Sequence, residues 1–131
     1  MDFLDWLDTL PAQLRPVGIA LHDIVSEHEG IICRMRYKVP FFDCPSWFMY
    51  MQMPKVTHCE LPGIELCFMD ARQMLDMQHL LDFKKRTTGA GITFHSLDDL
   101  EGVPFSALIA SAKEAMRRRN WRKSTKVGGS S

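Results

Sequence analysis

Short runs of alternating residues, each bounded by proline or glycine, fill the middle of the chain and limit the fold more than any other feature. Residues 31–37 alternate between an apolar face and a face with two arginines, as a half-exposed strand does. Residues 47–53 carry bulky side chains on both faces, which predicts a strand that is central or covered on both sides. Residues 56–61 and 64–69 are the third and fourth predicted strands, joined by a Pro-Gly turn.

Prolines set the expected limits of these strands. Pro40 is predicted to end the first strand, because proline cannot donate a ladder hydrogen bond. Residues 43–46 are predicted to form a turn, and residues 91–95 a last strand after a polar loop. We therefore expect an antiparallel sheet of about five strands, which is close to the usual sheet size.

Helical periodicity flanks the strands at both ends of the chain. Residues 16–29 place apolar side chains at i, i+3, i+4, i+7 and i+8, which predicts an amphipathic helix. A shorter helix is predicted over residues 2–10, and one or two helical turns over residues 70–83. The final helix is predicted to begin at Pro104 and to end near Arg119, with its apolar stripe facing the sheet.

Together these elements predict an α+β fold with a single antiparallel sheet flanked by N-terminal and C-terminal helices. No internal repeat or linker is visible, so we assign residues 1–120 to one domain with a core of ordinary size. Residues 121–131 are predicted to be a basic tail that ends in glycine and serine.

The charge of the chain is balanced overall but unevenly distributed. Lysine plus arginine number 16, equal to aspartate plus glutamate, which argues against a general nucleic-acid binder. Residues 111–131 nevertheless carry seven basic residues and one acidic residue, a net charge of +6. This cluster is either a solvated helix end that suits the helix dipole or a docking patch for an acidic partner, with candidate residues Arg117, Arg118, Arg119 and Arg122.

The four cysteines form no Cys-x-x-Cys pair, and three of them lie in predicted strands, where a free cysteine behaves as a small buried hydrophobe. The first ten residues hold three aspartates and no long apolar run, so we expect no secretory signal. No stretch is apolar enough for a transmembrane helix. These features predict a cytoplasmic protein with free thiols.

Several short phrases carry a family resemblance that spans about residues 14–118. They are Tyr37-x-x-Pro40-x-Phe42, the strands 47–53 and 64–69 around Pro62-Gly63, the Leu80-Leu81 pair, Lys84 and Lys85, the strand 92–94, and Asp99-Leu100. The order of elements and these phrases resemble the YdhG-like family of small bacterial proteins. The family has members described as frataxin-like iron chaperones, so the resemblance implies an α+β fold and iron as a candidate ligand. The chain departs from the family pattern at Cys33, Lys38 and Asp70-Ala71.

Carboxylates on the first two helices are the candidate iron ligands, because iron prefers carboxylate oxygens with imidazole as a further option. Asp23 and Glu27 are four residues apart on the outer face of the second helix, so both can point to one spot. His22 and Asp5 are the other candidates. The alternative is an ordinary solvated helix face.

Aromatic residues cluster around Pro40 and suggest a ligand pocket between the sheet and the helices. The candidate lining residues are Tyr37, Pro40, Phe42, Trp47 and Tyr50, with polar groups from His58, Lys84 and Lys85. The alternative is ordinary core packing, since aromatic residues and methionine also fill irregular interiors.

These patterns favour a cytoplasmic, non-enzymatic binding protein of the YdhG-like type, with iron as the candidate ligand. A small-molecule binding module with an aromatic pocket is the second hypothesis, and an adaptor that docks an acidic partner is the third. No Gly-x-Ser-x-Gly elbow or paired zinc-ligand spacing supports an enzyme. A homodimer is one candidate assembly.

Overall fold

The computed structural model of the chain describes residues 1–57 and 60–129, with side chains up to residue 123. Five strands form one antiparallel sheet in which each strand pairs with the next along the chain. They are β1 Ile32–Arg36, β2 Val39–Asp43, β3 Trp47–Gln52, β4 Ile64–Phe68 and β5 Ala90–Phe94. With helices at both ends of the chain, this architecture confirms the α+β prediction.

Three α-helices accompany the sheet: α1 Phe3–Thr9, α2 Arg15–Ser26 and α3 Phe105–Gly129. Asp2 caps α1, because its carboxylate accepts the backbone N–H of Asp5 while Asp5 accepts that of Asp2. Single turns of 3₁₀ helix occupy Ala12–Leu14, Ala71–Gln73, Gln78–Leu80 and Leu97–Leu100. No helix in the described residues is long and apolar enough to cross a membrane.

The core lies between the helices and one face of the sheet, which we call the inner face. Phe42, Met49 and Leu66 lie on this face and are fully buried. Leu21 of α2 and Leu108 of α3 cover them from the helical side and are equally inaccessible to solvent. Burying one such side chain contributes about 2 kcal/mol, so this layer is the main source of stability.

Strand β2 corrects the prediction that Pro40 ends the first strand. Residues 39–43 pair with β1 on one side and β3 on the other, and Pro40 lies opposite Met35. The pairing with β3 begins only at Phe41. The Arg36–Val39 pair closes a two-residue turn, so the nitrogen of Pro40 points away from β1 and no ladder bond is lost.

The predicted strand at residues 56–61 was wrong. Residues 53–57 and 60–63 contain no strand, and Leu61 is 71% exposed. Strand β3 already pairs with β2 and β4 on its two edges, so this segment has no free edge beside β3. Alternation alone therefore did not suffice to make a strand.

Helix α3 is longer than predicted, since it continues past Arg119 to Gly129. Residues 120–127 contain no glycine or proline, and their arginines and lysines favour helix. Most of the predicted basic tail is therefore helical, while Ser130 and Ser131 lie outside the described residues.

Candidate functional site

The face of the sheet opposite the core, which we call the outer face, is lined by polar and aromatic residues. One row of this face runs across four strands from Arg34 through Phe41 and Tyr50 to Cys67. A second row pairs Gln52 with Glu65 and Thr93. Strand alternation produces this division, because consecutive side chains point to opposite faces of the sheet.

Four aromatic rings form a contiguous cluster at the β1–β3 end of the outer face. The ring centroids of Phe41 and Tyr50 lie 5.0 Å apart with their planes 18° from parallel. Trp47 lies 5.3 Å from Phe41, and Tyr37 lies 6.3 Å from Trp47 in a stacked arrangement. These distances are typical of favourable aromatic pairs, so the cluster holds its own shape without a covering helix.

Arginine and aspartate fix the edge of this aromatic cluster. Arg36 donates two hydrogen bonds to the buried carboxylate of Asp43, at 2.6 and 2.8 Å. The guanidinium carbon of Arg36 also lies 5.1 Å from the ring centroid of Trp47. Arg34 Nε lies 3.3 Å from Asp43 Oδ2. The hydrogen bonds to Asp43 raise the pKa of Arg36 above its usual value, so Arg36 stays charged and fixed.

The hairpin between β1 and β2 carries the most exposed ring of the cluster. Tyr37 and Lys38 form its two-residue loop, and both have positive φ angles, 53° and 65°. Such a type I′ turn normally uses asparagine and glycine. The turn leaves Tyr37 79% exposed beside Trp47.

At the β3–β5 end, a buried carboxylate replaces the aromatic rings. Glu65 is inaccessible to solvent, and Arg86 Nη2 approaches its Oε2 to 2.6 Å. Gln52 donates to Oε1 at 3.0 Å, and Lys84 Nζ lies 3.7 Å from Oε2. Burial raises the pKa of Glu65, but the hydrogen bonds from Gln52 and Arg86 outweigh it, so the pKa lies below its usual value.

The segment that carries Arg86 is held over the outer face by backbone pairing. Asp82 and Gly91 exchange hydrogen bonds of 2.8 and 3.0 Å. A Cβ at Gly91 would lie 2.7 Å from the carbonyl oxygen of Leu66, which is too close for any side chain. The same Cβ would lie 2.9 Å from Glu65 Oε2, so glycine leaves the space that the Glu65 carboxylate occupies.

A cleft of about 460 Å³ opens beside Tyr50, and we call it the Tyr50 cleft. Its walls are Tyr50, Met69 and residues 85–89. Lys84 and Lys85 both have positive φ angles, 49° and 67°, in the turn that leads into this wall. The cleft therefore joins an aromatic wall to a wall of basic and hydroxyl side chains.

Most aromatic residues predicted for a pocket lie together, but on the outer face. Tyr37, Trp47 and Tyr50 belong to the aromatic cluster. Lys84 and Lys85 lie near the β3–β5 end of the outer face.

Two predicted pocket residues do not line this surface. Phe42 lies in the core on the inner face, and Pro40 is buried within β2. His58 lies outside the described residues. Phe41 belongs to the aromatic group that the sequence predicts around Pro40, but Asp43 and the Glu65–Arg86 pair were not predicted as site residues. Once β2 is recognised as a strand, alternation separates Phe41 from Phe42.

The predicted iron ligands are not gathered into a cluster. Asp5 accepts the N–H of Asp2 in the cap of α1, and the ring of His22 stacks on Phe3 at 4.1 Å. His22 Nδ1 lies 3.4 Å from Asp23 Oδ1, and Glu27 is exposed at the end of α2. Within residues 1–57 and 60–123, no three histidine, cysteine, aspartate or glutamate side chains are placed to hold a metal together.

The predicted docking arginines divide between two sides of α3. Arg117 and Arg118 are exposed and lie 3.8 and 3.5 Å from Glu114. Arg119 instead faces the sheet, where it donates to the carbonyl of Trp47 at 2.6 Å. Arg122 lines a different cavity, between α3 and the end of β4. Arg119 therefore has a contact with the sheet, which distinguishes it from Arg117 and Arg118.

Comparisons of the chain with protein-family models, with curated proteins and with solved structures find no match. The resemblance to the YdhG-like family therefore stays a prediction from the sequence. The geometry of the outer face therefore indicates which ligands the protein can bind.

Proposed function

We propose that the protein is a non-enzymatic binding module whose ligand is an anionic small molecule with a planar aromatic group, bound in the Tyr50 cleft. The observation that carries this proposal is the meeting of a stacked aromatic wall and a basic wall in one cleft on a sheet face without helices. Ligand sites commonly combine apolar surface with a few polar groups in this way.

The aromatic wall supports stacking of a planar group. Tyr50 is half-buried, and its ring is fixed against Phe41 at 5.0 Å. A fixed ring loses little conformational entropy when a ligand stacks on it, and one aromatic contact contributes about 1 kcal/mol beyond the buried area.

The basic wall supports binding of an anionic group. Arg86 and Lys84 are both close to Glu65, so they offset its charge. Lys85 has no ion-pair partner among the side chains that the structure describes. Lys85 therefore leaves an uncompensated positive charge beside the hydroxyl groups of Thr87 and Thr88.

The protonation of the groups under the cleft favours binding over catalysis. Burial raises the pKa of Cys67 to about 12, so its thiol is neutral and a weak nucleophile at neutral pH. Burial likewise raises the pKa of Tyr50 to about 12. Glu65 stays ionised and is bound by Arg86, which leaves it no proton to donate at neutral pH.

A fragment screen by thermal shift and NMR tests this proposal, with aromatic carboxylates and nucleoside monophosphates as probes. We expect Tyr50→Leu and Lys85→Gln each to weaken the best binder about tenfold, the effect of losing one stacking or charged contact. Tyr37→Leu and Lys38→Gln are the matched controls, because they remove the same groups from the hairpin, and they should change its Kd less than twofold. Equal losses in all four variants, or a screen without binders, would overturn the proposal.

Iron stays a prediction from the sequence and has its own test. The supporting observation is that Asp23 and Glu27 lie one helical turn apart, with the ring of His22 beside Asp23. An anaerobic calorimetric titration with ferrous iron, with magnesium as control, should give saturable binding that Asp23→Asn/Glu27→Gln removes. A flat titration would exclude this hypothesis for the chain.

A further inference from the structure

A second cavity, of about 320 Å³, lies between α3 and the segment that follows β4, and we call it the α3 cavity. Its wall from the sheet side consists of Met69, Asp70, Arg72, Gln73 and Thr88. Its helical wall consists of Arg119, Arg122 and Lys123, which share one side of α3 because they are three and four residues apart. It shares Met69 and Thr88 with the Tyr50 cleft, and its other lining residues differ from those of that cleft.

Cations outnumber carboxylates in the α3 cavity by four to one. The single carboxylate, Asp70, is already close to a cation, since Arg119 Nη1 lies 3.2 Å from its Oδ2. Burial raises the pKa of Asp70, while the charges of Arg119 and Lys123 act in the opposite direction. Asp70 therefore offsets the charge of Arg119 and leaves the other three cations of the cavity in excess.

Two of the four cations of the cavity, Arg72 and Arg119, are fixed before any ligand binds. Arg72 donates from Nε to the carbonyl of Thr87 at 2.9 Å, and its guanidinium carbon lies 4.5 Å from the ring centroid of Phe83. Arg119 donates to the carbonyl of Trp47 at 2.6 Å. A fixed guanidinium binds an anion with little loss of side-chain entropy.

The cavity wall also contains a donor that lacks an acceptor. Arg119 Nε is buried and has no hydrogen-bond partner in the structure. Buried donors are rarely left unpaired, because each loses its hydrogen bonds to water without replacement. Asp70 Oδ2, in the wall from the sheet side, is a buried acceptor without a hydrogen bond, and its contact with Arg119 offsets its charge. Arg122 and Lys123 have no ion-pair partner among the described side chains.

We propose that the α3 cavity is an anion site that takes a phosphate group, separate from the Tyr50 cleft. Arginine donors suit the several oxygens of phosphate, and the hydroxyl of Thr88 adds a neutral donor. The site accounts for the excess of cations on this side of α3. Arg117 and Arg118, in contrast, already lie beside Glu114.

Titration of the full chain with inorganic phosphate at constant ionic strength tests the site, because constant salt removes general screening effects. Calorimetry gives the Kd, and amide NMR shifts locate the binding. We expect saturable binding with shifts at residues 69–73 and Thr88. The double variant Arg122→Gln/Lys123→Gln should raise the Kd at least about tenfold, since it removes two charged contacts.

Arg117→Gln/Arg118→Gln is the matched control, because it removes the same charge from the same helix outside the cavity. It should change the Kd less than twofold. Equal weakening by both double variants would show a general charge effect and overturn the site, as would shifts spread along the exposed side of α3. A lack of saturable binding up to about 10 mM phosphate would overturn the site too.

Discussion

The two faces of the sheet reach burial by different means. On the inner face, apolar side chains such as Phe42 and Leu66 lie under helices. On the outer face, Phe41 and Asp43 are almost as inaccessible, yet stacked rings and arginines cover them instead of helices. Phe41 and Phe42 are neighbours in sequence, so the alternation of one strand separates the two kinds of environment.

This difference separates stability from binding. Apolar packing on the inner face depends on volume and shape, and it involves no charged partners. The outer face depends on charged partners that titrate and on rings that a ligand can reach. Substitutions on the inner face should therefore reduce stability, and most substitutions on the outer face should reduce binding.

The largest expected effect comes from the inner face. Phe42→Ala should lower the free energy of unfolding by about 3–5 kcal/mol, because it leaves a cavity between the sheet and the helices. Tyr37→Ala, on the exposed end of the outer face, should lower it by less than about 1 kcal/mol. Urea denaturation followed by circular dichroism measures both values. Similar losses would show that the two faces do not differ in this way.

Glu65 lies on the outer face, but because its carboxylate is buried, its substitution should reduce stability as substitutions on the inner face do. Glu65→Gln should cost about 3 kcal/mol, because it leaves Arg86 beside a neutral group at a half-buried position. Glu60→Gln is the control, since Glu60 is exposed and its carboxylate accepts a hydrogen bond from the hydroxyl of Thr57. Denaturation at pH 7 measures the difference, and an equal, small loss in both variants would contradict the role of the pair.

Acid should weaken the outer face more than the inner face. The pKa of Glu65 is lowered in the folded protein, so its ion pair contributes stability above the unfolded pKa of about 4.3. That contribution is lost as the pH falls through the lower, folded pKa. Unfolding free energies measured between pH 7 and pH 2 should therefore fall less in Glu65→Gln than in the original chain. Parallel curves would assign acid sensitivity to other carboxylates.

The smallest expected effect lies in the β1–β2 hairpin. Lys38→Gly should stabilise the protein by about 0.5–1 kcal/mol, because glycine adopts a positive φ without the steric cost that lysine has. Lys55→Gly is the control, since Lys55 is exposed and has no positive φ, and it should be neutral or slightly destabilising. Thermal unfolding distinguishes the two. Stabilisation by both variants would point to removal of charge instead.

Periodicity sufficed to predict the helices and four of the five strands, because long amphipathic patterns survive tertiary context. It failed at Pro40, since the cost of proline depends on which strand lies opposite its nitrogen. It also failed at residues 56–61, where alternation is present but both edges of the adjoining strands β3 and β4 are already paired.

For the candidate sites, separation along the sequence decided what could be predicted. Tyr37, Trp47 and Tyr50 were predictable as a group because they are close in sequence. The Glu65–Arg86 pair was not, because its two residues are 21 positions apart and meet only through the Asp82–Gly91 pairing.

The order of the strands has a consequence for how the chain folds. Every strand pairs with its neighbour in sequence, and the β1–β2 and β2–β3 hairpins close short loops, so these two hairpins should form early with little loss of chain entropy. Helix α3 instead packs against β3 and α2, from which it is separated by much of the chain. Its contact with the carbonyl of Trp47, made by Arg119 across 72 residues, can form only once α3 has reached β3. Docking of α3 should therefore be a late step, and pulse-labelled hydrogen exchange should show the amides of β2 and β3 protected before those of α3.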